Sequence, residues 1–545
     1  MRVTEQATDI VFAGAEGGIF PATWSQREFW RTISKHRPGG FYQIWLTFDL
    51  PEPWPLAEVL DLLRFLITRH QALRTKMSED DSGKLWQVIA GEGSLPVRIA
   101  GLPGGVDIEQ FTSDVREEFW AAEPDLCRDF PLKLAVVTSG GMARSVVLVC
   151  SHVVLDGGSA QVLENEVDTL ISKRPAHQER VLPPVSFAPK DQAREESRPG
   201  SQRTSDKSVA YWRSVLTESG PGVFSLTEAG RAPLWMGSLT SWALGKAETA
   251  LMRDAGLASS AIFMSATCCV LGLITGQPRM TFRLPAANRI SVAHREFVGA
   301  LSQHGIITVE LVPGITFYEL TRMLGRKLLL AYSRTRYNPD DLWPVISEVE
   351  SARGAPLDLT YLFNDMRFND IRVQADAQPE RLASQSGPSP IAWELLHSAN
   401  SDIKVHVRIR LSPADGATVL DLAADQSCLT KPEIEDTLRA IETLIATAAR
   451  ADFPLSEAIR VLAAGSEAAR AGMAADRGIL PFRGRKPCSQ QGFLPHWGKV
   501  PRSRRTARAG GTHGATAPSR RWGRGRFSPA RLAPSGNPPG PGQCR

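Results

Sequence analysis

The stretch Ser151-His152-Val153-Val154-Leu155-Asp156-Gly157-Gly158-Ser159 decides how this chain is interpreted. It follows residues 146–150, a short apolar run rich in valine that predicts a buried strand, and a helical pattern begins near its last residue. A histidine at the end of a strand, with a carboxylate four residues on and glycines behind it, is well placed to meet a ligand. The stretch alone leaves two interpretations open. His152 is a functional residue, or His152 and Asp156 form a structural pair whose polar groups hydrogen-bond to each other and have no part in function.

The composition is that of an ordinary globular protein. The 545 residues suffice for two to four domains, and 42% are hydrophobic and 22% charged. No N-terminal pattern of a signal peptide is present. The longest apolar stretch, residues 258–275, is interrupted by serine and threonine and predicts a buried helix, so we expect no membrane partner. The seven cysteines lack zinc or disulfide spacing, which leads us to expect reduced thiols, no metal and a cytoplasmic location.

The net charge of +5 is not evenly distributed. Residues 477–545 contain 13 arginines, two lysines and no acidic residue, which leaves about −10 on residues 1–476. The globular part gives no reason to expect nucleic acid as a partner. Residues 466–545 form a basic, low-complexity tail that we expect to be disordered, because it has too few apolar side chains to offset its chain entropy. A basic binding arm and a shifted reading frame are the alternatives for this tail.

Helical and strand-like patterns divide the rest of the chain into two α/β lobes, residues 1–180 and 208–465. In the first, Asp107 is placed to cap a helix, and Ser139-Gly140-Gly141 predicts a hairpin turn. Helices are predicted at residues 25–33 and 56–67, and strands at residues 42–48, 85–89, 132–138 and 145–150. Prolines mixed with charged residues and serine predict a linker at residues 181–207.

The second lobe shows the same alternation of patterns. Strands are predicted at residues 239–244, 279–284, 306–311, 357–363, 403–411 and 418–423. Helices are predicted at residues 247–257, 260–273, 317–332 and 432–449.

Four further motifs accompany the histidine stretch. They are Ala22-(x)2-Ser25-Gln26-Arg27-Glu28-Phe29-Trp30, Arg69-His70-Gln71-Ala72-Leu73-Arg74-Thr75, Tyr211-Trp212, and Ala287-Asn288-Arg289 followed by Glu296-Phe297-Val298-Gly299. Together with Ser151-His152-(x)3-Asp156-Gly157 they resemble the motifs of the condensation domains of nonribosomal peptide synthetases and of related acyltransferases in the chloramphenicol acetyltransferase-like superfamily. Their order and spacing agree over roughly residues 18–463.

The resemblance implies two chloramphenicol acetyltransferase-like α/β sandwich lobes in a V-shaped pseudodimer, with a tunnel between them. Phosphopantetheine arms of carrier proteins would enter it from opposite faces. His152 would be the catalytic residue, acting as a base or orienting the nucleophile. Backbone N–H groups around Gly157 would stabilise the oxyanion. Asp156 would have a structural role, paired with Arg289 or with Arg69.

Other residues of the motifs have weaker expectations. Ser151 replaces the first histidine of the family signature and can still form hydrogen bonds. Arg74 either lines the site or braces the lobe. Gln26, Trp30 and Ser302 either touch the tunnel or pack in the core.

Three functions compete at this point. The first is a stand-alone acyltransferase that joins a carrier-bound acyl or aminoacyl thioester to a small amine or alcohol, with no intrinsic cofactor. The second is a degenerate module that recruits a carrier protein or another enzyme without catalysis. The replacement of the signature's first histidine by Ser151 favours this alternative. The third is an acyltransferase that uses acyl-CoA in place of the carrier arm.

Overall fold

The computed structural model describes residues 5–35, 42–121, 124–173, 182–220, 222–224, 232–312, 314–367, 388–396, 403–412 and 414–462. The predicted basic tail, residues 466–545, lies outside the described residues. The predicted α/β class is confirmed, since each of two lobes has one large sheet with helices packed against it. The lobes meet along a cavity that takes its lining from both.

The described elements of the first lobe begin with a strand and end with the helix behind the histidine stretch. In chain order they are β1 (Glu5–Phe12), β2 (Gly18–Pro21), α1 (Trp24–Lys35), β3 (Gln43–Pro55), α2 (Leu56–Arg69), β4 (Thr75–Glu79), β5 (Leu85–Ile89), β6 (Gly93–Gly101), α3 (Ile108–Trp120), β7 (Leu132–Ser139), β8 (Met142–Ser151) and α4 (Gly157–Lys173), with a short 3-10 helix at Gln71–Arg74. The large sheet has the order β1-β6-β7-β8-β3, and β2, β5 and β4 form a small second sheet.

Strand β8 carries the chain to the histidine through the middle of the first lobe. It pairs with β7 in the predicted hairpin, whose Gly140 and Gly141 have φ angles of 61° and 81°, the conformation that a two-residue type I′ turn requires. Val147 and Val149 pack on the side of α3, while the alternate residues of β8 pack in the main core of the lobe. Because both faces of β8 are buried, its sequence is a continuous apolar run.

The second lobe starts at the connection between the lobes. In chain order its described elements are α5 (Pro189–Glu196), α6 (Pro199–Glu218), β9 (Leu234–Ser241), α7 (Trp242–Ala255), α8 (Ser259–Thr275), β10 (Arg279–Ala286), α9 (Val292–Arg295), β11 (Gln303–Glu310), α10 (Phe317–Tyr332), α11 (Pro339–Arg353), β12 (Tyr361–Asp365), β13 (Ile391–Leu396), β14 (Val405–Leu411), β15 (Thr418–Asp425) and α12 (Lys431–Ala448). The sheet order is β11-β10-β12-β14-β15-β9-β13.

The two faces of this seven-stranded sheet differ in polarity. On β14, Val405, Val407 and Ile409 belong to the core formed with α8, α10 and α12. The alternate residues His406, Arg408 and Arg410 line the cavity. Since side chains alternate along a strand, the same strand contributes to the core of the second lobe and to the cavity wall.

The connection between the lobes differs from the prediction. The predicted linker at residues 181–207 contains α5 and the first half of α6. Pro189 and Pro199 are the first residues of these helices, a position where the missing N–H of proline removes no helical hydrogen bond. The strand predicted at residues 239–244 is also wrong in its bounds: β9 ends at Ser241, whose hydroxyl caps α7 by accepting from the N–H of Leu244.

The apolar stretch at residues 258–275 is the predicted helix, α8, and its residues 261–271 are buried. Within the part of the chain that the structure describes, no single helix is long and apolar enough to cross a membrane. Helices α7 and α8 meet the length and composition criteria only as a pair, and the pair is bent by 113°.

Candidate active site

The loop between β8 and α4 places the histidine at the junction of the lobes. The backbone N–H of Ser151 donates to the carbonyl of Pro131 (2.8 Å), and that of His152 donates to the carbonyl of Tyr42 (2.8 Å). Ser151 is buried, and its Oγ accepts from the N–H of Val153 (3.4 Å). The serine that replaces the family's first histidine therefore lies inside the loop and helps to shape it.

His152 is partly exposed, and its exposed part lines a cavity of about 1350 Å³. Its ring stacks on the ring of Phe29, with centroids 4.0 Å apart. Burial lowers the pKa of His152, although the charge of Asp156 opposes this effect. The imidazole is therefore neutral at pH 7 and has a lone pair to offer.

Asp156 joins the two lobes. Its Oδ1 accepts from the Ser159 N–H (2.8 Å), the Ser159 Oγ (2.9 Å) and Arg289 Nη2 (2.5 Å). Its Oδ2 accepts from the N–H groups of Leu301 (2.9 Å) and Ser302 (3.2 Å) in the second lobe. Burial alone would raise the pKa of Asp156, but the charge of Arg289 and these donors outweigh it, and the pKa is lowered. Asp156 is thus an anion that fixes the loop and the lobe junction.

Arg289 reaches the same point from the second lobe. Its Nη1 donates to the carbonyls of His294 and Phe297 (2.7 Å each), so the backbone holds the guanidinium in place. A Cβ atom on Gly158 would lie 1.9 Å from Arg289 Nε. A side chain at position 158 would therefore overlap Arg289 in its present position.

Arg69, the other predicted partner of Asp156, lies elsewhere. Its Nη2 contacts Glu166 on α4 (2.9 Å) and the carbonyl of Pro183 (2.6 Å). His70 Nε2 contacts the same carboxylate (2.7 Å). This cluster connects α2 to α4 inside the first lobe.

The remaining predicted residues divide between the cavity and the lobe interior. Gly157 and Ser302 line the cavity, and Gly157 is the first residue of α4. Arg74 is buried and donates to the carbonyls of Glu16 and Ala90, which makes it a brace of the first lobe. Gln26 is buried at the start of α1, where its Oε1 accepts from the N–H of Thr23 (2.8 Å). Trp30 packs against the main core of the first lobe.

Sequence reasoning missed a polar cluster that also contributes to the lining of the cavity. Glu28 on α1 accepts from His304 Nδ1 (2.6 Å), Gln303 Nε2 (3.1 Å) and the Tyr337 hydroxyl (3.0 Å), all three in the second lobe. Glu28 belongs to the first motif and His304 lies five residues after Gly299 of the last one, so both were adjacent to quoted motifs. Their meeting depends on the packing of the lobes, which no sequence spacing shows.

The cavity also has a cationic wall on the second lobe. Arg408 and Arg410 on β14 share the carboxylate of Asp421, whose side chain is fully buried beneath them. Among the described residues, no group of three or more His, Cys, Asp or Glu side chains is arranged to hold a metal ion. Among the described cysteines, 150, 268, 269 and 428 are buried free thiols, but Cys127 is disulfide-bonded, so the expectation of reduced thiols is wrong for that residue.

Comparison with known proteins agrees with this geometry. A family model described as Condensation domain matches residues 18–457. A probable non-canonical nonribosomal peptide synthetase, CymA of Salinispora arenicola, is 24% identical over 330 residues, which are 58% of this chain and 4% of that protein. Phosphinothricin tripeptide synthetase PhsC of Streptomyces viridochromogenes is 22% identical over 337 residues, 58% of this chain and 30% of that protein. The chain therefore spans less than a third of the length of these relatives.

Solved structures share the fold over most of the chain. A mutant of the starter condensation domain of rhizomide synthetase RzmA, in complex with C8-CoA, has a TM-score of 0.61 at 16% identity and covers 80% of this chain and 96% of that one. The condensation domain of Monacolin K polyketide synthase MokA has a TM-score of 0.60 at 15% identity and covers 79% of this chain and 98% of that one. At these identities the likeness shows a common fold.

Proposed function

Because the chain belongs to the condensation domain family, whose members are enzymes of the acyltransferase type, we propose that it transfers an acyl or aminoacyl group from a phosphopantetheine-linked thioester to an amine or a hydroxyl. The product is an amide or an ester. The proposed donor is carried on a carrier protein, and acyl-CoA is the alternative donor. A cytoplasmic reaction in the biosynthesis of a nonribosomal peptide or a related secondary metabolite fits this chemistry.

The observation that carries the proposal is the position of His152. A neutral imidazole lines a cavity between two lobes, and that cavity is large enough for the ends of two substrates. Much of the rate acceleration in such a reaction comes from holding two reactants together. The loop fixed by Asp156 supports this role because it places the histidine where the lobes meet.

In the proposed reaction the lone pair of the acceptor attacks the thioester carbonyl carbon. A C–N or C–O bond forms, and the carbonyl oxygen becomes an oxyanion. Collapse of this intermediate breaks the C–S bond, and the thiol leaves with the proton that the acceptor has lost. His152 accepts a hydrogen bond from the attacking N–H or O–H and so directs its lone pair to the carbonyl.

The N-terminus of α4 is the proposed site of the oxyanion. The first N–H groups of an α-helix have no acceptor within the helix, and the helix dipole favours negative charge there. Gly157 is the first residue of α4, lines the cavity and leaves open space around its Cα. Its N–H is therefore the donor that we assign to the developing negative charge.

The test of this proposal is direct acyl transfer. Carrier proteins loaded with acyl phosphopantetheine are incubated with the protein and a primary amine, and intact-protein mass spectrometry follows the loss of the acyl group from the carrier. We expect transfer by the wild-type protein, and loss of transfer in His152→Ala. Gln161→Ala is the control, since the side-chain amide of Gln161 donates to Glu164 and Asn165 on α4.

The same experiment separates the competing functions. Transfer from acyl-CoA but not from the loaded carrier would assign the donor to coenzyme A. Stable binding of the loaded carrier without transfer would support a non-catalytic module and contradict the proposal. A wild-type rate in His152→Ala would refute the role given to that residue.

A further inference from the structure

A second imidazole lies in the same cavity and is backed by a carboxylate. His304 Nδ1 and Glu28 Oε1 are 2.6 Å apart, and the two side chains are 18% and 14% exposed. Both residues line the cavity that contains His152. The contact crosses from α1 of the first lobe to β11 of the second lobe.

Glu28 is held in a fixed position by two further donors. Gln303 Nε2 and the Tyr337 hydroxyl both donate to it, at 3.1 Å and 3.0 Å. Tyr337 is buried, and the Gln303 amide also donates to the Tyr337 carbonyl (2.9 Å). The carboxylate therefore does not have to reorganise when the charge on the imidazole changes.

The carboxylate also fixes the tautomer of His304. A carboxylate can only accept, so the neutral ring must carry its proton on Nδ1, and Nε2 keeps the lone pair. When Nε2 takes up a proton, Glu28 stabilises the imidazolium that forms. The arrangement of base and supporting carboxylate is the one that general-base catalysis requires.

The two histidines are brought together by neighbouring residues. Glu28 holds His304, and the next residue of α1, Phe29, stacks on His152 at 4.0 Å. Asp156, four residues after His152, binds the N–H of Ser302, two residues before His304. The charge of His304 also contributes to lowering the pKa of His152. The two rings are therefore near enough to act on each other electrostatically, and both line the cavity.

The surroundings of His152 and His304 differ in how closely an acidic group approaches each ring. His152 lies on an aromatic ring, and its Nδ1 has no hydrogen-bond partner among the described residues. The nearest acidic group of its own loop, Asp156, is occupied by Arg289 and four other donors. A proton on His152 is stabilised by the more distant charge of Asp156 and by backbone groups, whereas a proton on His304 meets a carboxylate in direct contact with the ring.

On the premise of the acyl transfer put forward above, we propose that His304, backed by Glu28, is the general base of this cavity, and that His152 orients the nucleophile. For an amine acceptor, as the C–N bond forms, one N–H proton moves to His304 Nε2 while a second N–H stays hydrogen-bonded to His152. As the C–S bond breaks, the same proton moves from Nε2 to the leaving sulfur. The ring returns to its neutral tautomer, so no other acid or base is consumed.

The remaining groups near His304 do not replace the imidazole in this role. The Tyr337 hydroxyl and the Gln303 amide act on Glu28 as hydrogen-bond donors. His406 on β14 is partly exposed to the cavity, but desolvation together with the charge of Arg408 keeps its pKa well below the ordinary value. The alternative role for the pair of Glu28 and His304 is a brace between the lobes.

His304→Asn separates a base from a brace. Its side-chain N–H can still donate to Glu28, but the lone pair of Nε2 is gone. Arg27→Met is the matched control, because Arg27 is the neighbour of Glu28 on α1 and also bridges the lobes, through Asn338 (3.0 Å) and Asp340 (2.8 Å). With an octanoyl-loaded carrier and hydroxylamine as the probe acceptor, single-turnover rates are measured as a function of pH.

We expect His304→Asn to lower the single-turnover rate by roughly 10²-fold or more, with an unchanged melting temperature and with a pH profile that differs from that of the wild type. Added imidazole should restore part of the rate in His304→Ala, since it supplies the missing base. Arg27→Met should keep the wild-type pH profile. In ¹⁵N spectra, the His304 ring should be protonated on Nδ1.

Failure of this proposal differs from failure of the proposed function. If the wild-type protein and the His304→Asn variant react at the same rate while His152→Ala is inactive, the general-base role is refuted and acyl transfer stands. If His304→Asn and Arg27→Met lose the same fraction of the rate with the same pH profile as the wild type, the pair is a brace. If no loaded carrier reacts with the wild-type protein, acyl transfer itself is refuted, and the base role with it.

Discussion

Replacement of Asp156 by alanine should remove the main polar connection between the lobes. The side chains of Asp156 and Arg289 are 2% and 11% exposed, and truncation of one partner of a buried ion pair costs about 3–5 kcal/mol. The N–H groups of Leu301 and Ser302 would lose their acceptor as well, at about 1–3 kcal/mol for each group that stays dry. Arg289 keeps two carbonyl partners, which offsets part of this loss. We therefore expect Asp156→Ala to lower the free energy of unfolding by about 4 kcal/mol, a large share of the 5–15 kcal/mol typical of a domain.

The assay is equilibrium unfolding in urea, followed by tryptophan fluorescence. Asp340→Ala is the matched control, because Asp340 also pairs with an arginine across the lobes but is 52% exposed, and such a pair is worth less than about 1 kcal/mol. The double variant Asp156→Ala/Arg289→Met should recover part of the loss, since no charge is then buried without a partner. We expect the free energy of unfolding of the control to lie within about 1 kcal/mol of the wild-type value. If that of Asp156→Ala is equally close to the wild-type value, the role given to Asp156 is wrong.

Three further predictions concern single residues. Gly158→Ala should lower the free energy of unfolding by about 1–3 kcal/mol, because the added Cβ would overlap Arg289. Gly157→Ala should change it by less than about 0.5 kcal/mol, because no atom lies within 4 Å of the added Cβ. Equal effects of the two substitutions in urea unfolding would contradict this prediction. An NMR titration of the His152 ring should give a midpoint below 6.5, since burial opposes its charge, and a midpoint above 6.5 would count against that environment. Burial raises the pKa of Glu196 to about 7, above its ordinary 4.5. The wild type should therefore lose roughly 3 kcal/mol of unfolding free energy as the pH rises from 4.5 through 7. Glu196→Gln should lack this dependence of stability on pH, and an identical dependence in both proteins would contradict the prediction.

Local signals in the sequence predict much of the fold. Asp107 caps α3 by accepting from the N–H of Gln110, and Gly140-Gly141 turns the hairpin that leads to the histidine. Helix α10 spans the predicted residues 317–332. These features succeed because a cap, a turn and a helical repeat depend on residues a few positions apart.

Signals that depend on tertiary context were misinterpreted. Pro189 and Pro199 suggested a linker, but proline also begins helices, and the packing of α5 against β2 and of α6 against β11 and α11 was not visible in the sequence. The sequence motifs did not distinguish Arg69 from Arg289 as the ion-pair partner of Asp156. The structure distinguishes them, since Glu166 occupies Arg69 within the first lobe.

The candidate site shows the same division. The loop from Ser151 to Gly158 lies on the cavity or beside it, as its local pattern suggested. Glu28 and His304 are 276 positions apart along the chain and meet only when the lobes pack. No spacing or composition could have joined these two residues.

The central claim is that the cavity between the lobes transfers acyl groups with the help of His152. The most direct measurement is the single-turnover rate at which a loaded carrier protein acylates an amine, compared between the wild type and His152→Ala at equal folded concentration. We expect a rate at least roughly 10²-fold lower in the variant, with both proteins unfolding at the same urea concentration. An equal rate in the two proteins would contradict it.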